Sequence, residues 1–142
     1  MKKKSFMIVV GLAVIIGVTV FLAGQETVDA KETRVISIRG GVVIDTESIR
    51  LEPQTLLIPK GTVVVWNNWV IASEAKIVFK EGKQCQNSTN ADTGFGMDAK
   101  NRYVSVILEG RTASLRFTTK GTYRYFVRAG TAVIKEGEIV VQ

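Results

Sequence analysis

From Thr33 onward the chain alternates short apolar runs with polar or glycine-bearing breaks. The runs are Thr33–Ile38, Gly41–Ile44, Thr55–Ile58, Thr62–Asn67, Lys76–Phe79, Tyr103–Leu108, Thr112–Thr118, Thr122–Arg128 and Thr131–Val141. They are rich in Val, Ile, Thr, Tyr and Phe, which fit a pleated surface. Several repeat with period two. Ala113, Leu115 and Phe117 share one face, and Ser114, Arg116 and Thr118 the other. Tyr123, Tyr125 and Val127 oppose Arg124 and Arg128, and Trp66 shares an inward face with Val64. Turn signals fall at Arg39-Gly40-Gly41, Lys60-Gly61, Glu109-Gly110 and Lys120-Gly121. No long amphipathic helix follows residue 30. Eight or nine short strands at this spacing predict an all-β antiparallel sandwich or barrel.

The first 30 residues follow a different pattern. Lys2, Lys3 and Lys4 precede an uncharged apolar run, Phe6 to Ala23. This is the form of a secretory signal or of a membrane anchor. Eighteen residues exceed an ordinary signal core and approach the roughly 20 that span a bilayer. Val28-Asp29-Ala30 offers a cleavage site, so a cleaved signal and a retained N-terminal hydrophobic helix are both open. Residues 1–30 are thus expected to be the signal peptide or anchor, and residues 31–142 one domain. Basic residues ahead of the run keep the N-terminus cytoplasmic. The domain is then expected on the extracytoplasmic side, periplasmic or cell-surface, secreted or anchored.

The segment from Lys80 to Arg102 interrupts the strands with mostly polar sequence. It predicts a long surface loop with a helical turn near Met97–Lys100. It also carries Cys85, the single cysteine. That thiol has three readings: inert and partly buried, paired with a second chain in a disulfide homodimer, or ligating a metal together with Met97. Lys80 and Lys83 nearby would lower its pKa.

Charge and composition exclude more than they assign. There is no histidine, which removes Ser-His-Asp and Cys-His catalysis and His-ligated zinc, copper or haem. Asp45, Glu47, Asp92 and Asp98 show no spacing that compels acid/base chemistry, so no catalytic residue and no enzyme is expected. Lys and Arg number 19 against 13 Asp and Glu. Lys2–Lys4, Glu26 and Asp29 precede Lys31, which leaves 16 basic and 11 acidic residues in the domain. That balance suits an envelope facing anionic lipid and is not a nucleic-acid stripe.

Two blocks together resemble the cupredoxins, the small blue-copper β-sandwiches. The first runs Leu51-Glu52-Pro53 through Thr55–Ile58 and Lys60-Gly61 to Val63-Val64-Val65-Trp66-Asn67-Asn68. The second is Gly121-Thr122-Tyr123-Arg124-Tyr125-Phe126-Val127, closed by Gly137-Glu138-Ile139-Val140-Val141. The resemblance covers roughly residues 33–142 and implies a Greek-key β-sandwich. The family's copper ligands, two His, a Cys and a Met, would fall at Ala75, Gly130, Val127 and Lys135. None of these side chains ligates copper as the family does. The resemblance therefore implies the scaffold without its blue-copper site, and no cofactor is expected.

Fold alone assigns no function. The expectation is a non-enzymatic binding or structural module of the envelope, with another envelope protein as partner and no nucleic acid. The alternative is copper handling or electron transfer through an atypical Cys85/Met97 site. Trp69 starts a loop at the end where cupredoxins hold copper, and is a candidate anchor for a partner. Arg124 and Arg128 are further partner candidates. With Arg102, Arg111, Arg116 and Lys120 they form either a solvated face or a docking surface for acidic protein or anionic head groups.

Overall fold

The computed structural model describes residues 32–43, 46–130 and 133–142. The expected signal or anchor at residues 1–30, and Asp45, lie outside them. Among the described residues no helix is long and apolar enough to cross a membrane. Eleven strands among the described residues form two facing sheets, joined by one short helix. In order they are β1 (Thr33–Val43), β2 (Thr46–Glu52), β3 (Thr55–Ile58), β4 (Val63–Ile71), β5 (Ala75–Phe79), α1 (Gly82–Asn87), β6 (Thr89–Thr93), β7 (Gly96–Met97), β8 (Tyr103–Ile107), β9 (Thr112–Phe117), β10 (Gly121–Ala129) and β11 (Val133–Val141). One sheet has the order β2-β1-β4-β9-β6, the other β3-β11-β10-β5-β8-β7.

Alternation along each strand decides what is buried. In β9, Ala113, Leu115 and Phe117 are buried, and in β10 so are Tyr123, Tyr125 and Val127. Both sets match the faces expected from sequence. Trp66 is wholly buried at the centre. Its ring lies 6.1 Å from Phe79 and 5.6 Å from each of Phe95 and Tyr125, edge-on or tilted. Such offsets suit the ring quadrupoles. Gly137 faces Tyr125 across the β10–β11 ladder. A Cβ there would collide with the Tyr125 ring and approach Leu51 at 2.9 Å, so the tyrosine needs a glycine opposite it.

The sheets are mixed, which the alternation could not show. Most pairings are antiparallel, but β1 runs parallel to β4 and β3 parallel to β11. The β1–β2 hairpin occupies one edge of β1. The chain then crosses to the other sheet as β3 and returns as β4 on the free edge of β1, in the same direction.

Two sequence expectations are corrected. Gly40-Gly41 does not turn the chain. β1 continues through both glycines, and a Cβ on Gly40 would strike the Ser48 carbonyl of β2. Nor is Lys80–Arg102 a surface loop. It contains α1, then β6 on the edge of one sheet and β7 on the edge of the other. The helix lies at Gly82–Asn87, while Asp98–Asn101 is only a turn. Gly82 lets α1 press against the backbone of residues 101–103. Cys85 is 2% exposed, and Phe95 and Met97 pack against the core. Ser88 and Thr89 are also buried. Their burial is tolerated because Thr89 Oγ1 donates to the Cys85 carbonyl at 2.8 Å, and the Ser88 carbonyl accepts from Thr118 N–H at 3.0 Å.

Candidate functional site

The β4–β5 turn, the β8–β9 turn and the end of β10 at Ala129–Gly130 gather at one end of the sandwich. The four positions where the cupredoxin resemblance implies copper ligands lie on or beside this end. Ala75 pairs with Ala129, and Val127 sits between Ile77 and Lys135 across the sheet. The fold thus brings the positions onto neighbouring strands, but their chemistry does not fit copper. Ala75 and Val127 are wholly buried and apolar, Gly130 is an exposed glycine and Lys135 is half-buried. None offers an imidazole, thiolate or thioether. Among the described residues no group of three or more Cys, Asp or Glu could hold a metal.

Asn68, which sequence reasoning passed over, organises this end. Its side chain is buried and fully bonded. Nδ2 donates to the carbonyls of Ser73 at 2.9 Å and Ile107 at 2.8 Å, and Oδ1 accepts from Val70 N–H at 2.9 Å. Its backbone bonds Arg111 and Gly110. One side chain therefore ties the β4–β5 turn to the β8–β9 turn. Ser73 Oγ ties in the third, accepting from Gly130 N–H at 3.1 Å. Ala72 has φ 57°, a left-handed conformation that costs a non-glycine residue about 1–2 kcal/mol. Its N–H donates to the Glu109 carboxylate at 3.1 Å. The turn is held in shape against that strain.

Apolar side chains stand beside the held turns; Trp69, expected to start a loop, lies with Ile71 inside the last residues of β4, and Leu108 follows β8. Trp69 is 48% exposed, Ile71 68% and Leu108 59%. Ile71 and Leu108 were not singled out from sequence. Their signal was an apolar residue on the outward phase of its strand or just past its end. Beside them a groove of about 420 Å³ is lined by Ala72, Ser73, Glu74, Lys76, Arg128 and Gly130. Arg128 thus belongs to the same end as Trp69. Arg124 does not: it pairs with Glu138 at 3.1 Å and lines a separate groove of about 230 Å³ with Lys80, Phe126 and Glu136.

The remaining candidates have structural surroundings. Burial pushes the Cys85 thiol up to about 12, partly offset by a hydrogen bond with Thr89. The expected lowering by Lys80 and Lys83 is reversed, and Lys80 Nζ instead sits 5.4 Å above the Phe126 ring. The thiol lies in the core, 2% exposed. Met97 is half-buried against the same core. Asp98 is held down to about 2, chiefly by the Arg102 backbone N–H and then by its guanidinium, with Lys100 N–H adding a third donor. It closes a turn and is not placed to act as an acid. The side chains of Glu47 and Asp92 lie outside the described residues. Trp66 Nε1, Ser105 Oγ and Tyr125 Oη are buried without a well-formed hydrogen bond. Burial pushes Tyr125 up to about 12, and a loose contact with the Trp66 indole offsets only part of it.

No protein family and no curated protein matches the sequence. Among solved structures, the chain is similar to an oxidized mutant of amicyanin, with 20% identity, 82% of this chain and 87% of that one covered, and a TM-score of 0.47. A reduced Cu(I) form of another amicyanin mutant at pH 4 gives 19% identity, the same coverages and 0.47. Amicyanin from Paracoccus versutus (Thiobacillus versutus) gives 16%, 81% and 85%, and 0.46. Strand order and register give the chain a two-sheet β-sandwich of cupredoxin-like fold, with Ala75, Val127, Gly130 and Lys135 where the sequence resemblance would put copper ligands.

Proposed function

We propose that this protein is an exported, envelope-associated binding module, non-enzymatic, whose working surface is the Trp69 end of the sandwich. The observation that carries the reading is the exposure of Trp69 and Ile71 at the end of β4 and of Leu108 just past β8, beside turns fixed by Asn68. A rigid aromatic anchor with aliphatic neighbours is the composition of an interface centre, and its pre-organisation lowers the entropic cost of docking. Arg128 and Lys76 add positive charge beside it, which suits a partner with an apolar contact ringed by carboxylates.

Two measurements test this. Protease accessibility of the domain in cells with an opened outer layer tests export; protection would overturn it. Capture from an envelope fraction then compares wild type with a Trp69→Ala/Ile71→Ser variant and a Leu57→Ser control. A partner retained by wild type and the control but lost by the double variant is expected. Equal retention by all three would reject the Trp69 end as the surface. Added Cu(II) should give no intense copper–thiolate band; such a band would restore the Cys85/Met97 reading.

A further inference from the structure

The opposite end of the sandwich has its own chemistry. β1 enters there at Thr33, beside Val63 at the start of β4. The turns Pro59–Thr62 and Phe117–Gly121 meet at this end. Gly61 N–H donates to the Phe117 carbonyl at 2.7 Å, and Phe117 N–H to the Thr62 carbonyl at 3.0 Å. Lys60 N–H reaches the Gln142 carbonyl at 3.3 Å. Together they form one firm surface. The two turns and the adjoining end of β9 carry Lys60, Arg116 and Lys120; Glu32 is paired to Arg34 at 2.8 Å, and Glu81 lies on the flank, across a small groove from Thr122. Lys60 and Lys120 are exposed, and Arg116 is half-buried with one nitrogen on the Gly61 carbonyl at 2.9 Å. None of the three makes an ion pair among the described residues. Leu57, 51% exposed, flanks them on β3.

We propose that this end docks on anionic phospholipid head groups of the membrane. Two facts select that occupant. The first is charge: Lys60 and Lys120, with Arg116 beside them, stand in no ion pair among the described residues, on two turns, Pro59–Thr62 and Phe117–Gly121, that carry no carboxylate of their own, and this complements an anionic surface. The second is chain connectivity. Only Gly24–Lys31 separates the apolar run Phe6–Ala23 from Glu32 in sequence, a reach of at most about 30 Å. A membrane-held run keeps this end within range of the head groups. Along β4 from Val63, Trp69 then lies about 20 Å and Ile71 about 26 Å further out, where a partner can reach them. The proposal shares with the proposed function the reading of residues 6–23 as an export segment. It does not depend on Trp69 binding anything.

Each basic side chain held at an anionic surface raises occupancy about fivefold, so three give on the order of 100-fold. The test is hydrogen–deuterium exchange of the full chain in nanodiscs of phosphatidylcholine, with and without phosphatidylglycerol. Residues 57–63 and 117–122 are expected to exchange several-fold more slowly with phosphatidylglycerol present, while 69–74 and 108–111 do not change. The slowing should vanish in Lys60→Glu/Lys120→Glu, and in wild type at about 1 M salt, where the Debye length is about 3 Å. Lys60→Gln/Lys120→Gln, which only removes charge, should lose most of it. Equal exchange in both lipids, slowing at 69–74 instead, or slowing that survives charge reversal would each overturn the proposal. Protease protection of the domain would reject export and leave this lipid measurement readable on its own.

Discussion

Cys85 gives the sharpest test, because sequence and structure assign it opposite surroundings. Its thiol is 2% exposed beneath α1 and pushed up to about 12 from an ordinary 9.0 by burial. Thiol reagents attack the thiolate. At pH 8 the thiolate fraction is therefore lower by about three orders of magnitude than for a free cysteine, before any steric shielding. A maleimide or disulfide reagent should label the native chain at least about 1,000-fold more slowly than the urea-unfolded chain. The same shift has a pH consequence. The unfolded thiol loses its proton near pH 9 while the folded one keeps it, so the unfolded state binds fewer protons above that pH. Stability from this group is fully present below pH 9 and falls as pH rises toward 12, by up to about 1.4 kcal/mol per pH unit. Cys85→Ala should cost about 1 kcal/mol through the small void left. Cys85→Ser should cost about 1–3 kcal/mol unless Thr89 takes up the hydroxyl. Thermal unfolding reads both. Native labelling as fast as in urea, together with an unchanged melting temperature in Cys85→Ser, would refute the burial of this segment.

Other perturbations probe the core and one turn. Trp66→Ala should cost about 3–5 kcal/mol and Trp69→Ala about 0.5 kcal/mol or less, read by denaturant titration; the reverse order would place the two rings on the wrong faces. Gly137→Ala should destabilise by roughly 1–3 kcal/mol, because its methyl group enters the Tyr125 ring, and Gly137→Ala combined with Tyr125→Leu should recover part of that loss. Asp98 should titrate with a midpoint near 2 in a carboxyl-resolved NMR experiment. Because its folded pKa is lowered, its contribution is present above about pH 4 and fades as pH falls toward 2; an ordinary midpoint would show that the Arg102 contacts do not form.

The strands that carry strong alternation were legible from the chain alone. β3 falls on Thr55–Ile58 as read, and the inward faces of β9 and β10 follow from period two, since the pleat points successive side chains to opposite sides. What the chain did not show is where polar segments are buried. β2 offers only Ile49 and Leu51 as apolar signal, and α1 with β6 buries Cys85, Ser88 and Thr89 among lysines, glutamines and asparagines. Their burial depends on hydrogen bonds to distant partners such as Thr118, which no local pattern encodes. The site at the Trp69 end was half visible. Trp69 and Arg128 stood out as residues, but Asn68 gains its role only when Ser73 and Ile107 come within 3 Å of its amide. Likewise Lys60 and Lys120, sixty residues apart, share one surface only because the pairing of β4 with β9 and of β3 with β11 closes the two turns against each other.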